Sequence, residues 1–289
     1  MRITRFIPAL IIAFMIMTGF HASQAQAWWS LEKVEEAQSL EAGLLYQRIL
    51  YQTAANKPVR AHLLQISGLG DQYLLGVLGS YGVLFPPSEF AKQSQAIALI
   101  NGGFFSVHPY RANGLIMAHG KILYPILTPK AQSCVGFNPK TLLIDWIGTE
   151  DIKDSHFVTE KPGWNDCYAA LSAGPILLKN GQVRINDASG TYNMTLRAPR
   201  TAIGKTRTGD ALLLVVDGRQ PDWSMGVTLE ESAVIFQSRG AVDALNLDGG
   251  GSSVMILNQV IVNRPSEDSI PGTAGVERPV ANVIGLFKK

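Results

Sequence analysis

Cysteine and histidine are scarce in this chain, with two cysteines and five histidines among 289 residues. The motifs that build metal sites from them, H-E-x-x-H and C-x-x-C, do not occur. The G-x-S-x-G nucleophile elbow and the G-x-x-x-x-G-K-[ST] phosphate loop are missing as well. The sequence therefore argues against a zinc protease, an α/β-hydrolase and a P-loop nucleotide-binding enzyme.

Runs of basic residues are also lacking. The chain has 25 Lys and Arg against 23 Asp and Glu, and removal of an N-terminal leader that carries Arg2 and Arg5 leaves 23 of each. Proteins that bind the nucleic-acid backbone depend on clustered cations. We therefore expect no binding of nucleic acid, and any anionic ligand must be bound by local groups.

The one long apolar run covers residues 6–20 and follows a basic N-terminus. Polar residues come next, and Ala25-Gln26-Ala27 has the A-x-A pattern of a signal-peptide cleavage site. The run is shorter than the apolar stretch that a membrane-spanning helix needs. Residues 1–27 are thus predicted to be the cleaved signal peptide of a periplasmic or secreted protein with no stable membrane span. An uncleaved amphipathic anchor is the alternative.

Cys134 and Cys167 are the only cysteines, and in an exported protein an even pair favours a disulfide. The bond would close a loop of about 32 residues and would contribute roughly 3–4 kcal/mol to stability in the loop-entropy treatment. Two buried free thiols are the alternative.

Glycine is abundant, with 28 residues spread between short apolar runs, which is typical of many strands and turns. We expect an α+β fold with a mixed, strand-rich sheet core and a few flanking helices. Helices are predicted at 31–37, after Pro86, and from Thr228, where Glu231 completes a capping box.

Three apolar runs end in a polar residue followed by glycine, at Asn101-Gly102-Gly103, Asp217-Gly218-Arg219 and Asp248-Gly249-Gly250-Gly251. If the three strands are neighbours of like orientation, these ends converge and form a cleft, as at the carboxyl ends of buried strands. Consecutive glycines also let backbone N–H groups approach an anion. Three unrelated turns are the alternative.

Asp248 and Asp217 are candidate catalytic carboxylates, because each lies between a buried strand and glycine. Asn246 is a third candidate catalytic residue, because it shares a strand face with Asp248, and side chains two residues apart point the same way. For Asp217, ordinary turn capping is an equal alternative. A divalent cation at either carboxylate is compatible with the sequence, although no ligand spacing demands one. His108, close to Asn101, is a further candidate site residue.

Arg200, Arg219 and Arg278 flank the same strands and glycine turns. Guanidinium groups bind phosphate in a bidentate manner. The three arginines, the backbone amides of residues 249–251 and the hydrogen-bonding Ser252 therefore form a candidate phosphate site. For any single arginine, a surface ion pair is the alternative.

Six motifs occur in an order that resembles the phosphodiester glycosidase family. They are Asn101-Gly102-Gly103-Phe104-Phe105, Ser172-Ala173-Gly174-Pro175, Pro199-Arg200-Thr201-Ala202-Ile203-Gly204, Val216-Asp217-Gly218-Arg219, Asn246-Leu247-Asp248-Gly249-Gly250-Gly251-Ser252-Ser253 and Arg278-Pro279-Val280-Ala281-Asn282. The resemblance covers roughly residues 97–287. It implies a phosphodiester glycosidase-like catalytic domain at 96–289. Residues 28–95 lie outside the resemblance, and their apolar runs predict a strand-rich N-terminal extension that packs on the core.

The resemblance further implies hydrolysis of a sugar-1-phosphodiester between the anomeric carbon and its oxygen. Because a phosphate monoester is a good leaving group, stabilising the departing anion matters more than protonating it. The arginines and glycine amides would supply that stabilisation, and Asp248, with Asp217, would activate water or stabilise the oxocarbenium-like centre. The residues assigned to the substrate through these motifs are Asn101, Gly102, Thr201 and Asn246.

The expected substrate is a small-molecule or polymeric phosphosugar of envelope or exopolysaccharide metabolism. The alternative function is a non-catalytic protein that binds or assembles a glycan or phosphosugar polymer.

Overall fold

The computed structural model describes residues 29–80, 82–128, 130–185, 194–266 and 275–289. The predicted signal peptide at 1–27 lies outside the described residues. Within these ranges the fold is mostly β, with two α-helices, α1 at Pro87–Gln93 and α2 at Leu229–Ser238. The predicted strand-rich core is confirmed, with fewer helices than the α+β class implies. No helix in the described part of the chain is long and apolar enough to cross a membrane.

An eight-stranded antiparallel sheet forms the centre of the fold. Its strands, in spatial order, are β1 (Trp29–Glu41), β2 (Leu44–Thr53), β3 (Pro58–Ile66), β18 (Ala211–Val216), β17 (Arg200–Thr206), β19 (Ala241–Asn246), β15 (Ile176–Lys179) and β16 (Gln182–Val183). Every residue of β18 is buried. Leu213 and Val215 pack on one face of the sheet, whereas Leu212 and Leu214 pack on the other with α2. The continuous apolar run therefore corresponds to a strand that is covered on both faces.

Two five-stranded sheets cover the first of these faces. One contains, in spatial order, β11 (Leu142–Ile147), β10 (Gln132–Phe137), β14 (Ala169–Ser172), β8 (Ile116–Ala118) and β9 (Lys121–Tyr124). The other contains β21 (Val260–Ile261), β20 (Met255–Leu257), β5 (Ala98–Asn101), β22 (Asn282–Lys288) and β4 (Tyr73–Gly79). A shared apolar core includes Ile100, Val135 and Leu213, one residue from each of the three sheets.

The remaining elements are short. Two hairpins pair β6 (Phe105–Val107) with β7 (Tyr110–Ala112) and β12 (Ile152–Lys153) with β13 (His156–Phe157). Turns of 3₁₀ helix lie at Thr149–Asp151, Trp164–Asp166 and Gly250–Ser252.

Helix α2 begins with the predicted capping box. The Thr228 hydroxyl oxygen accepts a hydrogen bond from Glu231 N at 3.1 Å, and a Glu231 carboxylate oxygen accepts one from Thr228 N at 2.9 Å. Glu231 is buried and also pairs with Arg197. The two hydrogen bonds of the capping box satisfy the first backbone donors of the helix. They therefore give Glu231 a structural role. Helix α1 confirms the helix predicted after Pro86.

The helix predicted at 31–37 is wrong, since these residues belong to β1. Strand β1 pairs with β2 over most of its length. Glu35 forms ion pairs with Arg48 on β2 at 3.2 Å and with Arg60 on β3 at 3.4 Å. Helix preferences of Glu, Lys and Ala amount to a few tenths of a kcal/mol per residue, so cross-strand pairing along the edge of a large sheet outweighs them.

The strands of the predicted N-terminal extension lie within the sheets of the rest of the chain. Strand β3 pairs with β18 from Ala61 opposite Val216 to Ile66 opposite Ala211. Strand β4 pairs with β22 along its whole length. These pairings satisfy backbone groups that would otherwise form open sheet edges. The predicted boundary at residue 95 therefore does not coincide with a break in the sheets.

The predicted disulfide does not form, and Cys134 and Cys167 are buried free thiols. The register of β10 against β14 places Cys134 opposite Ser172 rather than opposite Cys167. The Cys134 sulfur lies 3.3 Å from the Ser172 hydroxyl, and the Cys167 thiol donates to Gly163 O at 3.7 Å. Burial raises the pKa of each thiol to about 12.

We expect neither thiol of the native protein to react with DTNB at about pH 8, because burial blocks access and keeps both groups protonated. After unfolding in guanidinium without reductant, both thiols should react, and a Cys134→Ala/Cys167→Ala variant should give no signal. The absence of reactive thiols in the unfolded wild-type chain would instead demonstrate the disulfide.

Candidate active site

The loop that follows β19 carries Asp248 and the three glycines, and it enters β20 through the 3₁₀ turn at Gly250–Ser252. Strands β18 and β19 both pair antiparallel with β17, so they run in the same direction with one strand between them. Strand β5 approaches from one of the five-stranded sheets. The predicted convergence of three strand ends is therefore achieved by packing of two antiparallel sheets, and not by neighbouring strands in one sheet.

Asn101 joins the segments around this loop. Its Nδ2 donates to Asp248 O at 2.6 Å, while its Oδ1 accepts from the Thr201 hydroxyl at 2.7 Å and from Val254 N at 3.2 Å. Asn101 and Thr201 are both 0% exposed. The substrate contacts predicted for Asn101 and Thr201 do not fit this geometry, because their polar groups are buried and bonded within the protein. Both residues instead hold the loop in place.

Gly102 has a packing role of the same kind. Its carbonyl oxygen accepts a hydrogen bond from Asp248 N at 3.0 Å. A Cβ atom at position 102 would lie 2.0 Å from Asn282 Oδ1, an oxygen that accepts from Gly103 N at 2.7 Å. Any side chain at 102 would displace Asn282 and disturb the segment that supports Asp248. Close packing therefore accounts for the glycine that the sequence assigns to the substrate.

Two of the three amides in the predicted anion site are already bonded. Gly249 N donates to the Asp248 carboxylate at 3.0 Å, and Gly250 N donates to Pro199 O at 2.9 Å. These two N–H groups therefore bond within the protein, which does not fit their predicted contact with an anionic ligand. Gly250 has a φ of +62°, a conformation that favours glycine, so the turn itself requires this residue.

The glycines instead make room for guanidinium groups. A Cβ atom at Gly250 would lie 3.0 Å from Arg219 Nη1, and one at Gly251 would lie 2.7 Å from Arg278 Nη2. The pKa of Arg200 is lowered to about 10, first by burial and then by the positive charge of Arg219. The three predicted arginines therefore gather around one loop, where their guanidinium groups suit an anionic ligand.

Arg200 is anchored by main-chain carbonyls on its outer side. Its Nη2 donates to Leu196 O at 2.9 Å, and its Nε donates to Val227 O at 3.3 Å. These bonds fix the direction of the guanidinium group. A guanidinium that is held in advance binds a phosphate oxygen with less loss of side-chain entropy.

Asp248 is the partly exposed carboxylate of the site. Burial raises its pKa to about 6, and the Ser252 hydroxyl, the charge of Arg278 and the backbone N–H of Gly249 oppose that shift. A carboxyl group with a pKa near 6 can exchange a proton at neutral pH. Asp248 therefore combines access to solvent, a shifted pKa and a neighbouring arginine, which is the combination expected of a reacting group.

Asp217 is the second predicted catalytic carboxylate, and its environment differs from that of Asp248 in exposure and in hydrogen bonding. Its side chain is 0% exposed. One carboxylate oxygen accepts from Asn263 Nδ2 at 3.0 Å and Arg264 N at 2.9 Å. The other accepts from Trp223 Nε1 at 2.8 Å and lies 3.4 Å from His62 Nε2. With both oxygens bonded inside the protein, Asp217 is a poor candidate for contact with substrate.

These contacts also set the pKa of Asp217. Burial alone would raise it, but the hydrogen bonds and charge of His62 and the hydrogen bonds from Trp223 and Asn263 outweigh burial and lower the pKa. Asn263 Nδ2 also donates to Ser253 O at 3.1 Å, at the end of the glycine loop. Asp217 is thus the centre of a buried network that links β3 to the site. Its distant members His62, Trp223, Asn263 and Arg264 carry no local sequence signal.

Asn246 also belongs to the framework. Its Nδ2 donates to Gly174 O and to Leu247 O, both at 2.8 Å, and the residue is 3% exposed. These bonds set the exit of the chain from β19. Asn246 Oδ1 has no hydrogen-bond partner among the described residues, so the contact with substrate stays a prediction for this atom. His108 lies between β6 and β7 and lines a separate cavity.

The described residues hold no group of three His, Cys, Asp or Glu side chains arranged to bind a metal ion. The cation considered at Asp217 would have to replace hydrogen bonds that both of its oxygens already accept. The geometry therefore does not favour a cation at Asp217.

Comparison with known protein families shows which family the chain belongs to. Residues 94–287, which are 194 of the 289 residues, match the profile of a family described as phosphodiester glycosidase. The chain belongs to the phosphodiester glycosidase family. The resemblance expected from the six sequence motifs is confirmed.

Two mammalian proteins are similar to this family member. The N-acetylglucosamine-1-phosphodiester alpha-N-acetylglucosaminidases of Bos taurus and Homo sapiens are 27% identical over 217 residues and 29% identical over 212 residues. Each similarity covers 68% of this chain and 38% of the relative. The chain thus matches well under half the length of these relatives.

Two solved structures share the fold. The zebrafish N-acetylglucosamine-1-phosphodiester alpha-N-acetylglucosaminidase catalytic domain, described as auto-inhibited by its pro-peptide, superposes with a TM-score of 0.71 at 21% identity, covering 90% of this chain and 88% of that chain. A hypothetical protein from Synechocystis gives a TM-score of 0.67 at 16% identity, covering 90% and 64%. Each superposition covers 90% of this chain, whereas the family profile matches a smaller share that begins at residue 94. The common fold therefore includes strands that precede residue 94.

We expect Asp217→Asn to lower the free energy of unfolding by roughly 3–5 kcal/mol, because it removes the charge at the centre of a buried network. Urea unfolding measures this change. Asp222→Asn is the matched control, since Asp222 is exposed in the same segment and its substitution should change stability by less than about 0.5 kcal/mol. A stable Asp217→Asn variant that loses only turnover would restore the reacting role predicted from the sequence.

Proposed function

We propose that the protein is an exported hydrolase that cleaves the glycosidic bond of a sugar-1-phosphodiester. The observation that carries this proposal is the pairing of a partly exposed carboxyl group, whose pKa is raised to about 6, with three arginines around one loop. The arginines suit a phosphodiester, and the carboxyl group suits proton transfer at the neighbouring sugar carbon. The names of the bovine and human relatives support the same substrate class.

In the proposed reaction, Asp248 and the three arginines have separate roles. Water attacks the anomeric carbon, and the Asp248 carboxylate takes a proton from that water. The bond between the anomeric carbon and the phosphate oxygen breaks, and its electron pair stays on the oxygen. Arg200, Arg219 and Arg278 stabilise the phosphate monoester that leaves, so the departing oxygen needs no strong acid. The products are a free sugar and a phosphate monoester.

Asp248→Asn tests the central role. We expect hydrolysis of an N-acetylglucosamine-1-phosphodiester to fall by about 100- to 10,000-fold, the usual contribution of a general base. Stability at neutral pH should stay equal or rise, because burial makes the ionised carboxyl group of Asp248 less favourable in the folded chain than in the unfolded chain. This cost grows as the pH rises from the ordinary pKa of 3.8 to about 6, and asparagine does not ionise. Released sugar and the thermal midpoint are the two measurements. An Asp248→Asn variant with full activity would refute the assignment.

The pH profile of the wild-type enzyme gives a second measurement for the same residue. With Asp248 as the base, kcat/KM should fall as the pH drops through about 6, and the residual activity of Asp248→Asn should lack this step. Activity that is instead highest below pH 6 would assign Asp248 the role of an acid.

A second candidate function is binding of a phosphosugar polymer without turnover, since the arginine cluster suits binding as well as catalysis. Incubation with a panel of sugar-1-phosphodiesters separates the two functions. Binding that depends on Arg200 and Arg219 but releases no sugar would favour the non-catalytic protein.

We further propose export to the periplasm or the medium, with a role in envelope or exopolysaccharide metabolism. The basis is the N-terminal leader and its A-x-A pattern. The intact mass of the exported protein should match a chain that begins at Trp28. A mass that includes residues 1–27 would show that the leader is retained as an anchor.

A further inference from the structure

A cavity of about 720 Å³ lies outside the arginine cluster and has no role in the reaction proposed above. Its volume falls within the range of about 300–1,000 Å³ that is usual for small-molecule sites. The hairpin of β6 and β7 forms one wall, with His108, Tyr110 and Arg111. Tyr124 and Gln132, on β9 and β10, are also part of the lining.

The rim of the cavity is aromatic and apolar, and it is open to solvent. Tyr110 is 46% exposed, Val107 is 53% exposed and Leu127 is 72% exposed. The rings of His108 and Tyr110 lie 5.8 Å apart at a tilt of 39°. Exposed rings beside apolar side chains provide flat surfaces on which the C–H faces of a sugar ring can stack.

Polar groups inside the cavity complement sugar hydroxyls. Gln132 Oε1 is buried and has no hydrogen-bond partner among the described residues. A buried acceptor of this kind gains free energy from a ligand that donates a hydrogen bond. Asn113 and Arg111 add amide and guanidinium groups, and the described residues that line the cavity include no Asp or Glu. These residues therefore offer stacking surfaces and an unused acceptor.

The cavity connects to the candidate active site through the protein framework. A Cβ at Gly114 would lie 2.3 Å from Gln132 Oε1 and 2.8 Å from Ser172 Cβ, so Ser172 lies directly behind the cavity. A Cβ at Gly103 would lie 2.2 Å from Ser172 O, and Gly103 follows the residue that supports Asp248. The same segment continues to Gly174, whose carbonyl accepts from Asn246.

We propose that this cavity is a second carbohydrate site, which binds uncharged sugar rings of an oligosaccharide. The ligand stacks on Tyr110 and donates a hydroxyl hydrogen bond to Gln132 Oε1. This site goes beyond the proposed hydrolysis, because binding there requires neither Asp248 nor the arginines.

The test measures, by titration calorimetry, the binding of chitotriose and maltotriose to the whole chain that remains after removal of the predicted signal peptide. At least one trisaccharide should bind, and Tyr110→Ala and Gln132→Ala should each weaken that binding by about tenfold or more. Trp146→Ala is the matched control, since Trp146 is an aromatic residue of β11 that is 41% exposed and does not line the cavity. It should leave binding unchanged.

The same titration on Asp248→Asn separates this proposal from the proposed function, because that variant should bind the trisaccharide as the wild type does. Thermal midpoints of the Tyr110→Ala and Gln132→Ala variants confirm that both remain folded. Failure of both trisaccharides to bind at millimolar concentrations, or binding that Tyr110→Ala and Gln132→Ala leave intact, would overturn the second site.

Discussion

The site depends on the three hydrogen bonds of one buried asparagine. Asn101, at the end of β5, bonds to Asp248 O, to the Thr201 hydroxyl and to Val254 N. It thereby joins the central eight-stranded sheet, one five-stranded sheet and the glycine loop. The bonds to Thr201 and Val254 are buried, so loss of either one leaves a buried polar group unsatisfied. The position of the Asp248 carboxyl group follows from this arrangement.

Two aspartates with similar local sequences have opposite roles because of what surrounds them. Asp217 and Asp248 each follow an apolar strand and precede glycine. Four protein donors surround Asp217 and lower its pKa, whereas burial with fewer partners raises the pKa of Asp248 to about 6. The first carboxylate connects strands, and the second is available for proton transfer. The N-terminal strands take part through His62, so they contribute to the site as well as to the sheet.

The predictable part of the fold comes from local physics. The apolar run at Ala211–Val216 indicates a strand buried on both faces, and Thr228 with Glu231 indicates where α2 begins. The segment at 31–37 was predicted to be helical because Glu, Lys and Ala favour helices, but pairing with β2 decides its conformation. The cysteine pair was predicted to form a disulfide from count and compartment alone. Strand register determines whether two sulfur atoms can meet, and here Cys134 faces Ser172.

By itself, the sequence determined the family, the loop at Asp248 and the three arginines beside it, because the motifs and the glycine run are contiguous features of the chain. Tertiary structure alone decided which polar residues face outward. Asn101 and Thr201 are buried framework, and Gly250 and Gly251 leave room for the guanidinium groups of Arg219 and Arg278. The physical reason is that burial, hydrogen-bond satisfaction and pKa depend on groups far apart in the chain, which meet only when the sheets pack.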